Sequence, residues 1–141
     1  HDAVEDCGGM PTYNEIKARF GPRVGAIVLA CSDSTDEEWK RTVGYWERKQ
    51  KYLDHLEEST DKRAVLVSIA DKVHNARAIV TDLQRKGATV LDKFNGEAGE
   101  ILTYYVECLR IGQDKQVPEE LLWPLHTAVL EIDAFVMGGA R

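Results

Sequence analysis

The chain has 141 residues, of which 43% are hydrophobic and 30% are charged, and its formal net charge is −6. This length suits one domain with a core of its own, so we expect residues 1–141 to form a single domain. The acidic balance argues against a dedicated nucleic-acid-binding protein, which normally carries a basic excess. No apolar run approaches the roughly 20 residues of a transmembrane helix, and no membrane partner is expected.

The cysteine content indicates a reducing environment. Cys7, Cys31 and Cys108 are widely spaced and form no CxxC pair. An odd number of cysteines at such spacing is untypical of a disulfide-bonded secreted protein. We therefore expect a cytoplasmic protein.

The first helices are marked by glycine and proline. Residues 7–11 predict a loop, and Thr12–Glu15 reads as a capping box that starts a helix ending at Phe20–Gly21. Pro22 opens the next helix. Its apolar residues at helical spacing are Val24, Ile27, Val28 and Cys31.

The next segment alternates between a loop and a helical pattern. Residues 32–38 are polar and acidic, which predicts an exposed loop. From Trp39 to Leu56 the pattern is helical, with Gly44 as a break or a helix start. Its apolar side is predicted to consist of Trp46, Tyr52, Leu53 and Leu56.

The longest helix is predicted at about residues 61–86. Ser59 or Thr60 is the expected N-cap, and Gly87 is the expected stop. Apolar residues recur at helical spacing along this segment. They are Val65, Leu66, Ile69, Val73, Ala76, Val80 and Leu83.

The remaining sequence predicts three more helical segments. A short helix at Val90–Phe94 is broken by Asn95–Gly96, and a second runs from about Glu97 to Ile111. The last helix opens at residues 117–120 and ends at Gly138–Gly139. No segment shows convincing strand-like alternation, so the fold class is all-α, a bundle of mostly antiparallel helices.

The first six residues carry two polar pairs, His1–Asp2 and Glu5–Asp6. Residues four apart share a helix face, which places one pair a turn after the other. An imidazole with carboxylates is a ligand set for divalent Mn, Fe, Co or Zn. Carboxylates one turn away could orient or deprotonate a metal-bound water. The alternative is an acidic helix end that only complements the helix dipole.

A second polar patch lies on the long helix. Asp71 is followed by His74 three residues later and by Asn75 four residues later, so all three lie on or beside one face. A buried carboxylate requires a cation or hydrogen-bond donors, and a metal ion is one candidate. The alternative is a solvated helix face.

Taken together, His-Asp-x-x-Glu-Asp at 1–6 and Ala-Asp-Lys-x-His-Asn at 70–75 resemble the HD superfamily of metal-dependent phosphohydrolases. Within it, the chain is most similar to RelA/SpoT-type (p)ppGpp hydrolases, including the small stand-alone members. The stretches at 20–24, 46–49 and 52–56 add to the resemblance. It covers roughly the first 95 residues, and the last two helices match only in general character.

The resemblance implies a role for each motif residue. His1 and Asp2 correspond to the HD doublet and, with Asp71, would bind the metal, which in this branch is usually manganese. Glu5 and Asp6 correspond to the pair that handles the attacking water.

The resemblance also implies a substrate-binding set. Asn75 matches an asparagine that lines the nucleotide pocket, and Arg48 and Lys49 match a basic pair near the phosphates. We add Lys72 as a further cation that could hold a pyrophosphate. The implied partner is a phosphorylated nucleotide, and a homo-oligomer is left open.

The family pattern has one more histidine ligand on a helix upstream of the HD doublet, usually with a basic motif. His55, His74 and His126 do not match that position. We therefore expect an N-terminal segment to precede His1.

The functional prediction is an HD-domain helical bundle that hydrolyses the 3′-pyrophosphate of (p)ppGpp-like nucleotides. Two alternatives stay open on the sequence alone. One is an HD phosphohydrolase of nucleoside mono- or triphosphates, and the other is a non-catalytic nucleotide-binding or regulatory module.

Overall fold

The computed structural model describes residues 1–32, 37–93 and 98–138, with the side chains of residues 37 and 93 left aside. Within these ranges every regular element is a helix and no strand occurs, which confirms the all-α prediction. The chain divides into two compact units, His1–Ser68 and Ile69–Arg141. The single domain expected at 1–141 stays a prediction.

The first unit is built from short helices that precede one long helix. In chain order they are α1 (Asp2–Asp6), α2 (Gly9–Phe20), α3 (Pro22–Cys31), α4 (Glu37–Thr42), α5 (Tyr45–Glu58) and α6 (Lys62–Lys86), which continues into the second unit. The predicted helix end at Phe20 and the predicted start at Pro22 are confirmed.

The first three helices form a packed layer in which α2 contacts both α1 and α3. Val4 is fully buried and anchors α1. Gly25 of α3 allows a close approach to α2, because a Cβ at this position would lie 3.1 Å from Cβ of Lys17. The short first helix is therefore fixed by tertiary packing rather than by its own length.

Helix α2 begins three residues before the predicted capping box. Gly9 is its first residue, and Gly8 adopts a φ of 139°, which favours glycine. Thr12 lies inside the helix, where its hydroxyl donates to the carbonyl of Cys7 at 3.1 Å. Pro11 fits the first turn because no intrahelical partner is needed there for an amide. The predicted loop at 7–11 is confirmed only for residues 7–8, whereas residues 9–11 are helical, and the predicted capping box was wrong.

Gly44 separates α4 from α5, as predicted, and forms the N-cap of α5. Tyr52, Leu53 and Leu56 are buried, which confirms most of the predicted apolar side. Helix α4 starts at Glu37, earlier than Trp39. Of the predicted loop at 32–38, residues 33–36 lie outside the described part of the chain.

The N-cap of α6 is Asp61, not Ser59 or Thr60. The Asp61 Oδ1 accepts from the backbone amide of Arg63 at 3.0 Å, as an N-cap carboxylate does for the second helical residue. The end of α6 was predicted correctly, since Lys86 is its last residue and Gly87 follows with a φ of 77°. A glycine at this position can adopt the left-handed conformation without strain.

The buried face of α6 follows the predicted spacing with one exception. Leu66 is 38% exposed, because it lies outside the stripe that its neighbours bury. Ser68 and Lys72 are buried instead. The predicted positions that are buried are Val65, Ile69, Val73, Ala76, Val80 and Leu83.

The second unit continues with a 3-10 helix (Ala88–Lys93), α7 (Ala98–Asp114) and α8 (Glu119–Gly138). The short helix predicted at Val90–Phe94 is thus a 3-10 helix that starts two residues earlier. The predicted end at Phe94, the break at Asn95–Gly96, the start at Glu97 and the stop at Gly139 lie outside the described residues. Helix α7 continues to Asp114, three residues beyond its predicted end at Ile111.

Helices α7 and α8 pack closely in the second unit. Gly112 allows this approach, since a Cβ there would lie 2.6 Å from Leu122 Cδ2. Gly112 also accepts a hydrogen bond from Val117 at 2.9 Å through its carbonyl. Fully buried side chains of the second unit include Ile69, Ile101, Cys108, Leu125 and Ile132.

Helix α8 is also long and apolar enough to cross a membrane by length and composition, with a mean hydropathy of 1.3 over an 18-residue window. The sequence prediction missed this because it searched for unbroken apolar runs, and Glu131 and Asp133 interrupt this one. Core helices of globular proteins pass the same test, and 28% of the window is buried. The expected absence of a membrane partner therefore stays a prediction.

Candidate metal centre

The start of α1 brings three ligand-type side chains together. One ligand atom each from His1, Asp2 and Glu5 lies within 4.8 Å of the other two. His1 is the N-cap residue, and its carbonyl accepts from the amides of Val4 and Glu5, both at 3.0 Å. This turn places Glu5 on the same side as His1, as the four-residue spacing predicted.

The cluster fits a divalent ion by its chemistry and its dimensions. Metal–nitrogen and metal–oxygen bonds of about 2.1 Å allow two ligand atoms on one ion to be up to about 4.2 Å apart, so small side-chain rotations suffice. His1 Nε2 lies 3.0 Å from Asp2 Oδ1. An ion bound by both atoms would replace any proton between them, which couples binding to pH.

The side chains of the cluster differ in their exposure to solvent. The His1 side chain is 18% exposed, whereas that of Asp2 is 77% exposed. Because Val4 is fully buried beneath them, α1 holds these groups at the surface of the first unit. The cluster is therefore accessible from solvent.

Lys40 supports this cluster through the backbone, a contact that the sequence analysis did not anticipate. Its Nζ donates to the carbonyl of Glu5 at 3.0 Å and so ties α4 to the last turn of α1. A cation at a helix C-terminus is favoured by the helix dipole. No local spacing indicates the contact, because 35 residues separate the two positions.

Asp6, predicted as the second acid–base residue, is exposed at the end of α1. It is not part of the three-residue ligand group. Its position next to Glu5 is compatible with handling a water or a leaving group. The catalytic roles of Glu5 and Asp6 stay predictions.

Asp71 belongs to the second unit and is described within it. Its Oδ2 accepts from Lys72 Nζ at 2.8 Å and from Asn75 Nδ2 at 3.2 Å. The Asp71 side chain is only 16% exposed, so these donors offset the cost of burying its charge. Lys72 thus supplies a cationic partner for the Asp71 carboxylate. The role of Asp71 as a metal ligand stays a prediction.

Lys72 points into the second unit rather than into solvent. It is 7% exposed, and its Nζ lies 5.8 Å from the centroid of the Tyr104 ring in addition to pairing with Asp71. A cation near an aromatic face gains from the ring quadrupole. Lys72 is thus held as the partner of Asp71, and the prediction that it binds substrate would require it to leave this pair.

Arg48 and Lys49 lie on α5 in the first unit. The Nε of Arg48 is buried and has no hydrogen-bond partner among the described residues. The Lys49 Nζ lies 5.5 Å from the centroid of the Tyr45 ring. A buried guanidinium nitrogen without a partner is costly. Arg48 therefore has donor capacity that an anion could use, while its predicted place near the phosphates stays a prediction.

Comparison with known protein families identifies the family to which the region around this cluster belongs. A sequence model of the HD domain matches residues 1–95. This chain belongs to the HD domain family. The match includes α1 and the part of α6 that carries Asp71 and Asn75, so both halves of the predicted motif lie within it.

Members of the HD domain family are in general metal-dependent phosphohydrolases that bind divalent ions. His1 and Asp2, which were predicted as the HD doublet, are two of the three residues in the α1 cluster, and their role as metal ligands stays a prediction. A search of curated proteins returned no match.

Proposed function

We propose that this HD domain hydrolyses the 3′-pyrophosphate of (p)ppGpp-like nucleotides in a manganese-dependent reaction. The observation that carries the proposal is the convergence of His1, Asp2 and Glu5 at the start of α1. The choice of substrate rests on the HDxxED spacing and its resemblance to RelA/SpoT-type hydrolases. The HD family supports the coarser reaction class.

In this proposal, His1, Asp2 and Asp71 hold the ion, and Mn²⁺ suits a mixed imidazole and carboxylate set. A bound divalent ion would lower the pKa of its water and polarise the scissile phosphoryl group. Asp71 would exchange the ammonium of Lys72 for the metal ion at its Oδ2. The released Lys72 would then be available for the substrate phosphates.

Glu5 and Asp6 would carry out the acid–base steps of the reaction. Glu5 is next to the predicted ligands and would take the proton of the attacking water, because a general base must lie within hydrogen-bond reach. Asp6, one residue on, would help to orient that water. The carbonyl hydrogen bond from Lys40 keeps the helix end that carries both carboxylates in place.

The substrate would be held by donors aimed at its charged groups. Arg48 offers a buried guanidinium nitrogen and Lys49 an ammonium on the same helix, which suits a pyrophosphate. Asn75 can present an amide to the nucleotide base. Its present contact with Asp71 fixes the orientation of that amide.

A substrate panel tests the proposal. The purified chain is incubated with Mn²⁺ and either ppGpp, a nucleoside monophosphate or a nucleoside triphosphate, and released phosphate and pyrophosphate are measured. We expect pyrophosphate from ppGpp and little product from the others. Cleavage of another nucleotide without ppGpp hydrolysis would move the substrate to the first alternative.

The non-catalytic alternative is separated from the enzyme by matched variants. Glu5→Gln and Asp71→Ala are assayed beside Asp54→Asn, an exposed aspartate on α5. Equal residual rates in the wild type and in all three variants would indicate a binding module. Loss of product in the first two variants alone supports catalysis.

A further inference from the structure

Helix α8 has an apolar face that is exposed to solvent and is not packed against the rest of the second unit. Three large side chains on it are strongly exposed: Trp123 at 60%, Leu130 at 58% and Met137 at 66%. Thr127 and Ala134 are exposed between them. These five residues are called the α8 stripe.

The α8 stripe is separate from the buried side of the helix. Leu122, Leu125, Val129 and Ile132 fill the core of the second unit from another direction. A helix with two apolar sides, of which one is exposed over about four turns, is typical of a contact surface.

The spacing of the α8 stripe alternates between four and three residues. This 3.5-residue period is the pattern of the seam between two helices that pack side by side. A single-sided pattern of this kind favours another helix as the occupant of the surface.

We propose that the α8 stripe is the contact through which two copies of this chain associate, with their α8 helices antiparallel and Leu130 on the twofold axis. Such an interface must be self-complementary, since residue i contacts residue j and j contacts i. Reversing the stripe about Leu130 places Trp123 against Met137 and Thr127 against Ala134 of the second copy. Large thus meets large and small meets small.

The side-chain chemistry of these pairs is favourable. A flexible methionine adapts to an aromatic ring, and sulfur–aromatic contacts add to the burial. The small Thr127–Ala134 pairs allow the helices to approach closely between the bulky ends. Leu130 meets its own copy at the centre, where interface residues contribute most to binding.

The charges along α8 argue against an anionic membrane as the occupant of the α8 stripe. Within the described helix all formal charges are acidic, at Glu119, Glu120, Glu131 and Asp133. An anionic lipid surface attracts basic residues and would repel this helix. The antiparallel arrangement places His126 beside Asp133 of the second copy, so one flank pairs a potential cation with an anion.

Glu131 is drawn away from the seam by its own unit. Gln84 on α6 donates to its Oε2 at 2.9 Å, which directs the carboxylate toward α6. This contact reduces the repulsion that two copies of Glu131 would otherwise exert across the seam.

The exposed area of the α8 stripe indicates how tightly two copies should associate. Its three large side chains, at these exposures, offer roughly 400 Å² per copy. A stable interface buries about 800 Å² per partner. We therefore expect a weak dimer that forms and dissociates with concentration.

Sedimentation velocity of the full chain over a concentration series tests association. The wild type is expected to shift from monomer to dimer, and Leu130→Lys is expected to dimerise at least about 10-fold more weakly, because two charges meet on the axis. The matched control is Val106→Lys, an apolar α7 residue that is 41% exposed and outside the stripe. Circular dichroism verifies that each variant is folded.

Disulfide formation tests the register in a Cys7→Ser background, since the two other cysteines are buried. Leu130→Cys is expected to cross-link with itself. Thr127→Cys is expected to cross-link with Ala134→Cys but not with itself, because its two copies lie about 9 Å apart along the axis.

Four results would overturn the proposal. The wild type could stay monomeric at every concentration, or Leu130→Lys could dimerise as the wild type does. Alternatively, Thr127→Cys could cross-link with itself as efficiently as Leu130→Cys, which indicates parallel helices. Flotation of the wild type with phosphatidylcholine vesicles, lost in Leu130→Lys, would assign the stripe to a membrane instead.

Discussion

At the scale of single residues, the candidate site depends on where α1 begins. With His1 as the N-cap, its side chain and that of Glu5 share one side of the first turn, and a ligand atom of Asp2 lies within 4.8 Å of both. The sequence spacing predicted this juxtaposition because a helix fixes the geometry of residues four apart. Spacing carries no information on Lys40, which reaches Glu5 from another helix.

The predicted site residues on α6 show a different limit of prediction from sequence. The spacing of Asp71 and Asn75 predicted a shared face, and their hydrogen bond confirms it. Lys72 was assigned to the substrate as one of several scattered cations. Its burial against Asp71 and Tyr104 depends on tertiary packing, which one-dimensional charge patterns do not encode.

Glu5→Gln separates proton transfer from metal binding. We expect the hydrolysis rate to fall about 100-fold or more, since general-base catalysis contributes that much. Bound Mn²⁺, measured by elemental analysis of the same sample, should be retained. If Mn²⁺ is lost together with activity, Glu5 is a ligand instead, a role that its distance to His1 and Asp2 also permits.

At the scale of elements, most helices were predicted correctly and several of their ends were not. Proline and glycine identified the boundary at Phe20–Pro22 and the stop at Gly87, because each restricts or permits one backbone conformation. Thr12 and Ser59 have the right side chains for caps but lie elsewhere. Which of several candidate caps is used is decided by packing of the whole helix, not by residue type.

The Asp61 cap gives α6 a pH-dependent component of stability. The hydrogen bond from the Arg63 side chain is the largest cause that lowers the pKa of the Asp61 carboxyl below its usual 3.8. A lowered folded pKa means that the carboxylate stabilises the fold above pH 3.8 and loses this effect as the pH falls through the folded pKa.

Asp61→Asn should therefore lower the Tm at neutral pH, and the difference from the wild type should shrink below pH 3.8. Asparagine is a good N-cap, so this variant removes the charge while keeping a capping oxygen. Thermal melts at a series of pH values measure the effect. A Tm difference that is the same at every pH would show that the Asp61 charge does not contribute.

Gly112→Ala tests the close contact between α7 and α8. Its Cβ would lie 2.6 Å from Leu122 Cδ2, and overpacking of a core costs about 1–3 kcal/mol. The gain in helix propensity is about 1 kcal/mol, so we expect a net loss of stability of about 1 kcal/mol. Urea denaturation measures it.

Gly99→Ala on the same helix is the matched control. A Cβ at Gly99 has no neighbour within 4 Å, so the substitution should be neutral or stabilise by up to about 1 kcal/mol. If Gly112→Ala is as stable as Gly99→Ala, Leu122 relaxes without cost and the close contact does not restrict α7.

At the scale of the whole molecule, composition and helical periodicity were sufficient for the fold class. An all-α chain is indicated wherever apolar residues recur at helical spacing and no segment alternates as a strand does. The exposed α8 stripe was not anticipated. Residue type does not show whether Trp123 and Leu130 are buried, and only the packed structure shows which face of α8 is covered.

The two sequence motifs predicted the HD family, and the family indicates metal-dependent phosphate hydrolysis as the reaction class. His1–Asp2 and Asp71 lie within the region that matches the HD domain, although they belong to different compact units. The finer prediction, a manganese-dependent (p)ppGpp hydrolase, depends on chemistry that no spacing fixes.

The most direct test of the candidate metal centre is a titration of the purified chain with Mn²⁺. The electron paramagnetic resonance signal of the free ion measures how much Mn²⁺ stays unbound. We expect the wild type and Asp54→Asn to bind Mn²⁺ with equal affinity. Asp2→Asn should bind at least about 100-fold more weakly, since even outer-shell substitutions cost 10–100-fold. Unchanged Mn²⁺ binding by Asp2→Asn would contradict the assignment of the α1 cluster as the metal centre.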